Sequence, residues 1–348
     1  MFVAVLFILM LLMVTFSFFE EERPLVRWLV FISAVIVVTL MAGLRPIGID
    51  KDSYNYVGYY WGTSDETVEN SFLYISTLVR TLFDDVQWVF IIYALIAIPL
   101  KCFVFTKLSN DFFLLMAVYM CNFMMLHDMT QIRIGAAMAF VFLGFYYLVN
   151  DRKLLFILLT IIASFFHISA ILILLILLFR NNEMKVWHRI VLAVIPFITF
   201  LTVALNIDIV TLIPFDFIQS KLAIYEQLRD KGITGDEKVN LLKPALLVKL
   251  TAYYFVLWKY NILKEYCPYL TRLLKIFAFS YFCYGLLSFM PILAQRVNEL
   301  FCFVEICMVP LIIYAITPKW VGRVFVMIYT IGIFVGNLVF AELLQLSM

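Results

Sequence analysis

Apolar residues in this chain come in long blocks, not in the alternation of a half-buried strand or the narrow stripe of a surface helix. A helix needs about 20 apolar residues to cross the roughly 30 Å hydrocarbon core of a bilayer. Blocks of that kind run near 2–19, 27–44, 86–106, 112–127, 131–149, 187–205, 244–262, 272–293, 297–316 and 323–345. The segment 153–179, KLLFILLTIIASFFHISAILILLILLF, is different. As one helix it would extend about 40 Å, too long for a bilayer without strong tilt. It carries SFFHIS at its centre, so two short helices turning at His167 are the alternative.

The charges between the blocks decide that choice, because short cytoplasmic connections collect Lys and Arg. With residues 45–85 facing outward and a turn at His167, fifteen of the 26 basic residues fall on the inward side, among them Arg23, Arg27, Lys101, Lys107, Arg152, Lys153, Arg180 and Lys185. A single continuous helix would put the basic clusters at 180–189, 259–275 and 319–323 outside. The pattern therefore predicts an all-α polytopic membrane protein with about 11–12 transmembrane helices and both ends outside. Its 348 residues form a single integral-membrane domain.

Composition agrees: 65% of residues are hydrophobic and only 14% charged, where soluble domains carry about a quarter charged residues. The net charge of +2 is spread without a basic tract, so nucleic acid is not an expected partner. The first apolar run has no basic stretch before it and no small-residue cleavage site, and reads as a retained span. Six cysteines (102, 121, 267, 283, 302 and 307) lie in or beside apolar runs without CxxC spacing, as buried small hydrophobes.

Two outward segments are large, 45–85 and 206–243. In the second, Phe215, Ile218, Leu222, Tyr225 and Leu228 make one apolar stripe opposite Asp216, Gln219, Glu226 and Arg229. That spacing predicts an amphipathic helix at the membrane surface.

Several polar residues gather on the outward face of this topology: Arg45, Asp50, Asp52, Tyr54, Tyr56, His127, Asp128, Arg133, His167, Arg296 and Glu299. Charges at or inside span boundaries are costly and normally meet a partner or a polar cavity. Arg133 opens a small-residue helix and either faces such a cavity or snorkels to the interface. Arg296 has Glu299 one turn later, which also fits a local ion pair. His167 is a candidate base or a hydrogen-bonded core residue, and His127 with Asp128 reads as an interfacial turn cap. Lys249 reads as a snorkelling residue, and Glu305 has no evident role. Three arginines aimed at one cavity suit a phosphate or pyrophosphate, which guanidinium binds bidentately. Tyr54, Tyr56, Tyr59, Tyr60 and Trp61 suit sugar rings or an interfacial aromatic belt. No transition-metal spacing is present, and the DKD of residues 50–52 is the one acidic pair of the kind that holds a divalent ion.

GLRPIGIDKDSYNY, residues 43–56, resembles the first large outward loop of the Wzy-type polysaccharide polymerases of the EpsG family. The stretch from MTQIRIGAAMAF to FFHISAIL resembles that family's second signature, an arginine opening a small-residue helix, a short basic turn and a Phe-His-x-Ser-Ala element. The resemblance implies a multi-spanning glycosyltransferase of GT-C-like architecture in a bacterial inner membrane, its active site facing outward. Its substrates would be undecaprenyl-pyrophosphate-linked oligosaccharides, the growing chain passing from its carrier to the non-reducing end of a new unit. No metal, cofactor or nucleotide sugar is implied, and membrane lipid and a chain-length-regulating membrane protein are the expected company. Arg45, Arg133 and Arg296 would stabilise the leaving pyrophosphate, while Asp52 or His167 would accept the hydroxyl proton. Asp50, Tyr54, Tyr56 and Glu299 would line the substrate path. The doublet leaves Asp50 and Asp52 both open for the family's functional aspartate, Asp52 within DSYNY being preferred. Two other classes remain: a flippase for lipid-linked sugars, and a membrane acyltransferase, which the lack of histidine in residues 1–44 disfavours.

Overall fold

The computed structural model describes residues 1–19, 24–63, 68–205, 244–288 and 290–345. The amphipathic helix expected within 206–243 lies outside the described residues. Described residues are overwhelmingly helical, and no β-strand occurs among them beyond one isolated bridge. They divide into two compact units, one formed by residues 1–178 and 309–348, the other by 179–308.

The first unit starts with α1 (Phe2–Ser17) and α2 (Pro24–Gly43). Two short helices follow in the first large loop, α3 (Ser53–Trp61) and α4 (Asn70–Leu82). Next come α5 (Gln87–Leu108), α6 (Phe112–Tyr119) running straight into a π-helix (Met120–Thr130), and α7 (Ile132–Val149). After α8 (Lys153–Phe166) the chain breaks at His167, whose backbone is extended at φ −153° and ψ 117°, and resumes as a 3-10 helix (Ile168–Leu178). The two pieces pack against each other and against α7, which is the hairpin expected from the basic connections. The second unit holds α9 (Val186–Ala204), α10 (Pro244–Trp258) and α11 (Leu270–Leu286). The helical run α12 (Pro291–Ala315) leads to α13 (Lys319–Val339) in the first unit.

Seven of these helices are long and apolar enough to cross a membrane: Pro24–Gly43, Gln87–Leu108, Phe112–Thr130, Ile132–Val149, Val186–Val203, Pro291–Ala315 and Lys319–Val339. Four shorter apolar helices accompany them, Phe2–Ser17, Lys153–Phe166, Ile168–Leu178 and Pro244–Trp258. The chain is a multi-pass membrane protein with an all-helical fold.

The run Phe112–Thr130 is buried along its whole length, so protein rather than lipid surrounds it. Its second half is the π-helix, where the Gln131 amide reaches back five residues to the Leu126 carbonyl at 2.9 Å. A π-helix is wider than an α-helix and is rare beyond a single turn. Side chains secure this one: Thr130 Oγ1 donates to the Met125 carbonyl at 2.8 Å, and Asn337 of α13 donates to the Cys121 carbonyl at 3.0 Å.

The structure corrects three readings in this region and in the second unit. Lys101, counted above among the inward connections, lies buried inside α5, with Nζ 2.5 Å from Asp128 Oδ1. Asp128 is therefore half of a buried ion pair and not a turn cap at the interface. Lys249 pairs with Glu305 at 3.0 Å, which gives both residues a reason to be in the second unit. Removing one partner of a buried pair strands the other charge, at a cost of about 3–5 kcal/mol. Lys101→Met is accordingly expected to lower the thermal midpoint in detergent markedly, and Lys101→Met with Asp128→Leu to recover most of the loss. A single variant as stable as the parent would show the pair to be energetically idle.

Candidate active site

The site begins at the loop after α2. Arg45 is only 1% exposed. Its Nε donates to Asp50 Oδ2 at 2.9 Å and its Nη1 to the Ala42 carbonyl at 2.7 Å, while the guanidinium stacks 4.3 Å from the Phe90 ring centroid. It thus closes the C-terminus of α2, where open carbonyls favour a cation. The second Asp50 oxygen accepts the Asp52 amide at 3.1 Å. Gly48, at φ +93°, lets the chain reverse beneath the Tyr54 ring, where a Cβ would fall 2.6 Å from the hydroxyl. The far end of the chain is tied to the same loop. Asp50 pairs with Leu344, the Gln345 amide donates to the Ile49 carbonyl at 2.8 Å, and Lys51 Nζ donates to the Ala341 carbonyl at 2.8 Å.

Asp52 then starts α3, and Tyr56 and Tyr60 anchor that helix in an apolar cluster with Phe72 of α4, Val89, Phe90 and Tyr93 of α5, and Ile132 and Ala136 of α7. This packing sets Glu69, the residue ahead of α4, opposite the start of α7 and the break at His167. The Glu69 backbone carbonyl accepts from Phe72 at 3.0 Å, but its side chain does not cap the helix. Instead the carboxylate bridges two residues far away in sequence. Arg133 Nη1 donates to Oε2, and His167 Nδ1 lies 2.6 Å from Oε1. Arg133 also faces Tyr56 and Tyr59, with its guanidinium carbon 5.8 and 5.6 Å from their ring centroids.

All three members of the bridge are partly open, between 15% and 19% exposed, whereas Arg45 and Asp50 are sealed. Burial pushes the Glu69 carboxyl up, but the hydrogen bond from His167 and the charge of Arg133 outweigh it and hold the group below its ordinary 4.5. It is a carboxylate at neutral pH, which can only accept. His167 therefore carries its proton on Nδ1 and, when neutral, presents a lone pair on Nε2. Burial raises the Tyr56 hydroxyl against the pull of Arg133, so it stays protonated. The arrangement offers a guanidinium for an anion and an oriented imidazole for a proton, held by one carboxylate.

Of the residues singled out from sequence, the structure brings Arg133, His167 and Tyr56 together. Arg45 and Asp50 are buried as a pair, with Arg45 against Phe90 of the cluster that holds Tyr56, Asp52 stands at the start of α3, and Tyr54 is an exposed lid over Gly48. Arg296 and Glu299 belong to the second unit, at the beginning of α12, where Glu299 accepts the Gln295 amide at 2.8 Å. Glu69 is the member that sequence reasoning missed. In DETVENSFLY it reads as an acid at a helix start, and nothing local announces partners 64 and 98 residues away. Among the described residues no group of three His, Cys, Asp or Glu side chains gathers as for a metal ion.

A sequence model of the EpsG family matches residues 28–344, nearly the whole chain. The protein belongs to the EpsG family. No curated protein and no solved structure matches it. The family match spans the Arg45 loop, Glu69, Arg133, the His167 break and the pairing of Leu344, so EpsG membership covers the bridged group and its supports alike.

Proposed function

We propose that this protein is a polysaccharide polymerase that joins oligosaccharide repeat units carried on undecaprenyl pyrophosphate, at the outer face of a bacterial inner membrane. EpsG membership fits a membrane polysaccharide polymerase, and the observation that carries the chemistry is the bridge of Glu69 to Arg133 and His167. In the reaction, a hydroxyl at the non-reducing end of a new unit attacks the anomeric carbon of the growing chain. The bond from that carbon to the pyrophosphate oxygen breaks as the new glycosidic bond forms. His167 Nε2 takes the hydroxyl proton, with Glu69 fixing the ring through Nδ1, and Arg133 takes up the negative charge that develops on the departing pyrophosphate.

Arg45 and Asp50 act behind the site in this reading, holding the loop from which α3 presents Tyr56 and Tyr59. Those tyrosines, with Tyr54, offer flat faces to sugar rings. Asp52 is the second candidate base, close enough to Tyr56 to act on its titration but outside the Glu69 bridge. The length of the two hairpin pieces supports a site sunk below the headgroups: fourteen α-helical and eleven 3-10 residues each rise roughly 21–22 Å, short of the roughly 30 Å core.

The test is reconstitution. Purified protein in vesicles receives an undecaprenyl-pyrophosphate repeat unit and no nucleotide sugar, and products are separated by gel. A ladder of multimers with released carrier pyrophosphate is expected. Substrate that stays monomeric but crosses the vesicle membrane would replace this reading with a flippase.

A further inference from the structure

Behind Arg133 lies a polar cluster that the proposed chemistry does not use. Asp128, Lys101 and Tyr119 are all buried, in a part of the fold surrounded by apolar side chains. Both Asp128 oxygens are taken: Lys101 Nζ sits 2.5 Å from Oδ1, and the Tyr119 hydroxyl donates to Oδ2. Lys101 also stands over the Tyr119 ring, 5.5 Å from its centroid. The carboxylate is thus fixed from α5 on one side and from the last residue of α6 on the other.

What that carboxylate touches next is the start of α7. Only Gln131, at φ −100° and ψ 63°, separates the π-helix from α7, so the direction of α7 depends on contacts made across this one-residue joint. The contact falls at Gly135, where a Cβ would lie 2.7 Å from Asp128 Oδ1 and 2.7 Å from the His127 carbonyl oxygen. Gly135 is two residues, about half a turn, beyond Arg133. A buried ion pair is poor at adding net stability but can specify a register. A π-helix is a segment that needs one specified, since a slip to α-helical bonding would rotate everything after it.

We infer that Asp128, clamped by Lys101 and Tyr119, is a positioning residue that sets α7 against the end of the π-helix and thereby aims Arg133 at Glu69. Its consequence for turnover rests on the polymerase reading above; its consequence for the Arg133–Glu69 contact does not. Loosening the clamp lets the first turn of α7 shift, and Arg133 then meets Glu69, and the anion in front of it, in poorer geometry. Its effect is on the arginine and not on the proton acceptor, because His167 is held from a different element.

The experiment uses full-length protein in detergent with Tyr119→Phe, which removes one hydrogen bond, and Asp128→Asn, which keeps the shape and removes the charge. The first readout needs no activity. Melting temperatures of Glu69→Gln, Arg133→Gln and the double variant give the coupling between the two residues. That coupling is expected to fall at least twofold when the cycle is repeated in the Tyr119→Phe background. The second readout is turnover per folded molecule, expected to fall about 10-fold, while the KM for the lipid-linked unit changes less than twofold. Inhibition by inorganic pyrophosphate is expected to weaken in parallel. A merely structural role would lower the melting temperature but leave the coupling and the normalised turnover at parental values, and that result overturns the inference. Should Asp128→Asn fail to fold, Tyr119→Phe alone decides. A parent protein that makes no polymer defeats the polymerase reading, and the coupling measurement still decides whether Asp128 aims Arg133.

Discussion

Arg133→Ala is expected to abolish polymer formation, lowering turnover on the order of 10²- to 10³-fold, the usual cost of removing a preorganised donor from a site where negative charge develops. The protein should still fold. Arg133 is 19% exposed on its side chain, and its removal leaves Glu69 with the His167 hydrogen bond and an open edge. Arg133→Lys should recover little, because an ammonium supplies a point charge and cannot serve the Glu69 carboxylate and an incoming oxyanion with one planar fork. The check is the reconstituted assay, normalised to folded protein. Polymer of normal length and amount from the alanine variant would remove Arg133 from the chemistry and leave it as a structural partner of Glu69.

Glu69→Gln is the second large effect. The neutral amide can donate to Nδ1 and so favour the wrong tautomer, leaving the proton on Nε2 where a lone pair is required. A loss on the order of 10²- to 10⁴-fold in turnover follows from disabling an oriented general base. The substitution also has a signature in stability. Since the Glu69 carboxyl is held below 4.5 in the folded protein, its contribution to stability is complete above that value and disappears as pH falls through the lower, folded-state value. The melting temperature of the parent should therefore decline on that acid limb more steeply than that of Glu69→Gln. Parallel curves would show that the bridge contributes nothing to the fold, and unchanged turnover would show that His167 does not need it.

Most of the helical plan is legible in the sequence because a bilayer rewards one property, apolar length, and that property is local. The break at His167 is legible because length and the placement of basic residues contradict a single helix. Arg133 stands out because an arginine at the head of a small-residue helix is costly without a partner. The partner itself is not legible. Glu69 lies in a stretch that any reading assigns to a loop, and only the packing of α3 and α4 on Tyr56, Phe72 and Tyr93 carries it to α7. The same limit explains Lys101 and Asp128. Each sits where a boundary residue would, and burial is decided by the π-helix, which shifts register without leaving a mark in composition. Arg45 shows the converse: a charge that sequence aims at the substrate is sealed between the Asp50 carboxylate and the Ala42 carbonyl at the end of the helix before it.

The pairing of Ile49 with Gln345 sets a parity. Two segments joined by a backbone hydrogen bond at 2.8 Å lie on one side of a membrane, so the chain between them crosses an even number of times. Among the described residues, α5, the α6–π run, α7, α9, α12 and α13 are long and apolar enough to supply six crossings in that interval. With 206–243 read as a loop and the shorter α10 and α11 read from sequence as spans, the count is eight. On that reading the segment from Lys153 to Leu178 contributes none or two crossings, not one. On that count the parity agrees with a hairpin at His167 and not with a single span, a line of reasoning separate from charge. A reporter fused beyond Met348 accordingly reads the side of the membrane on which the first large loop lies.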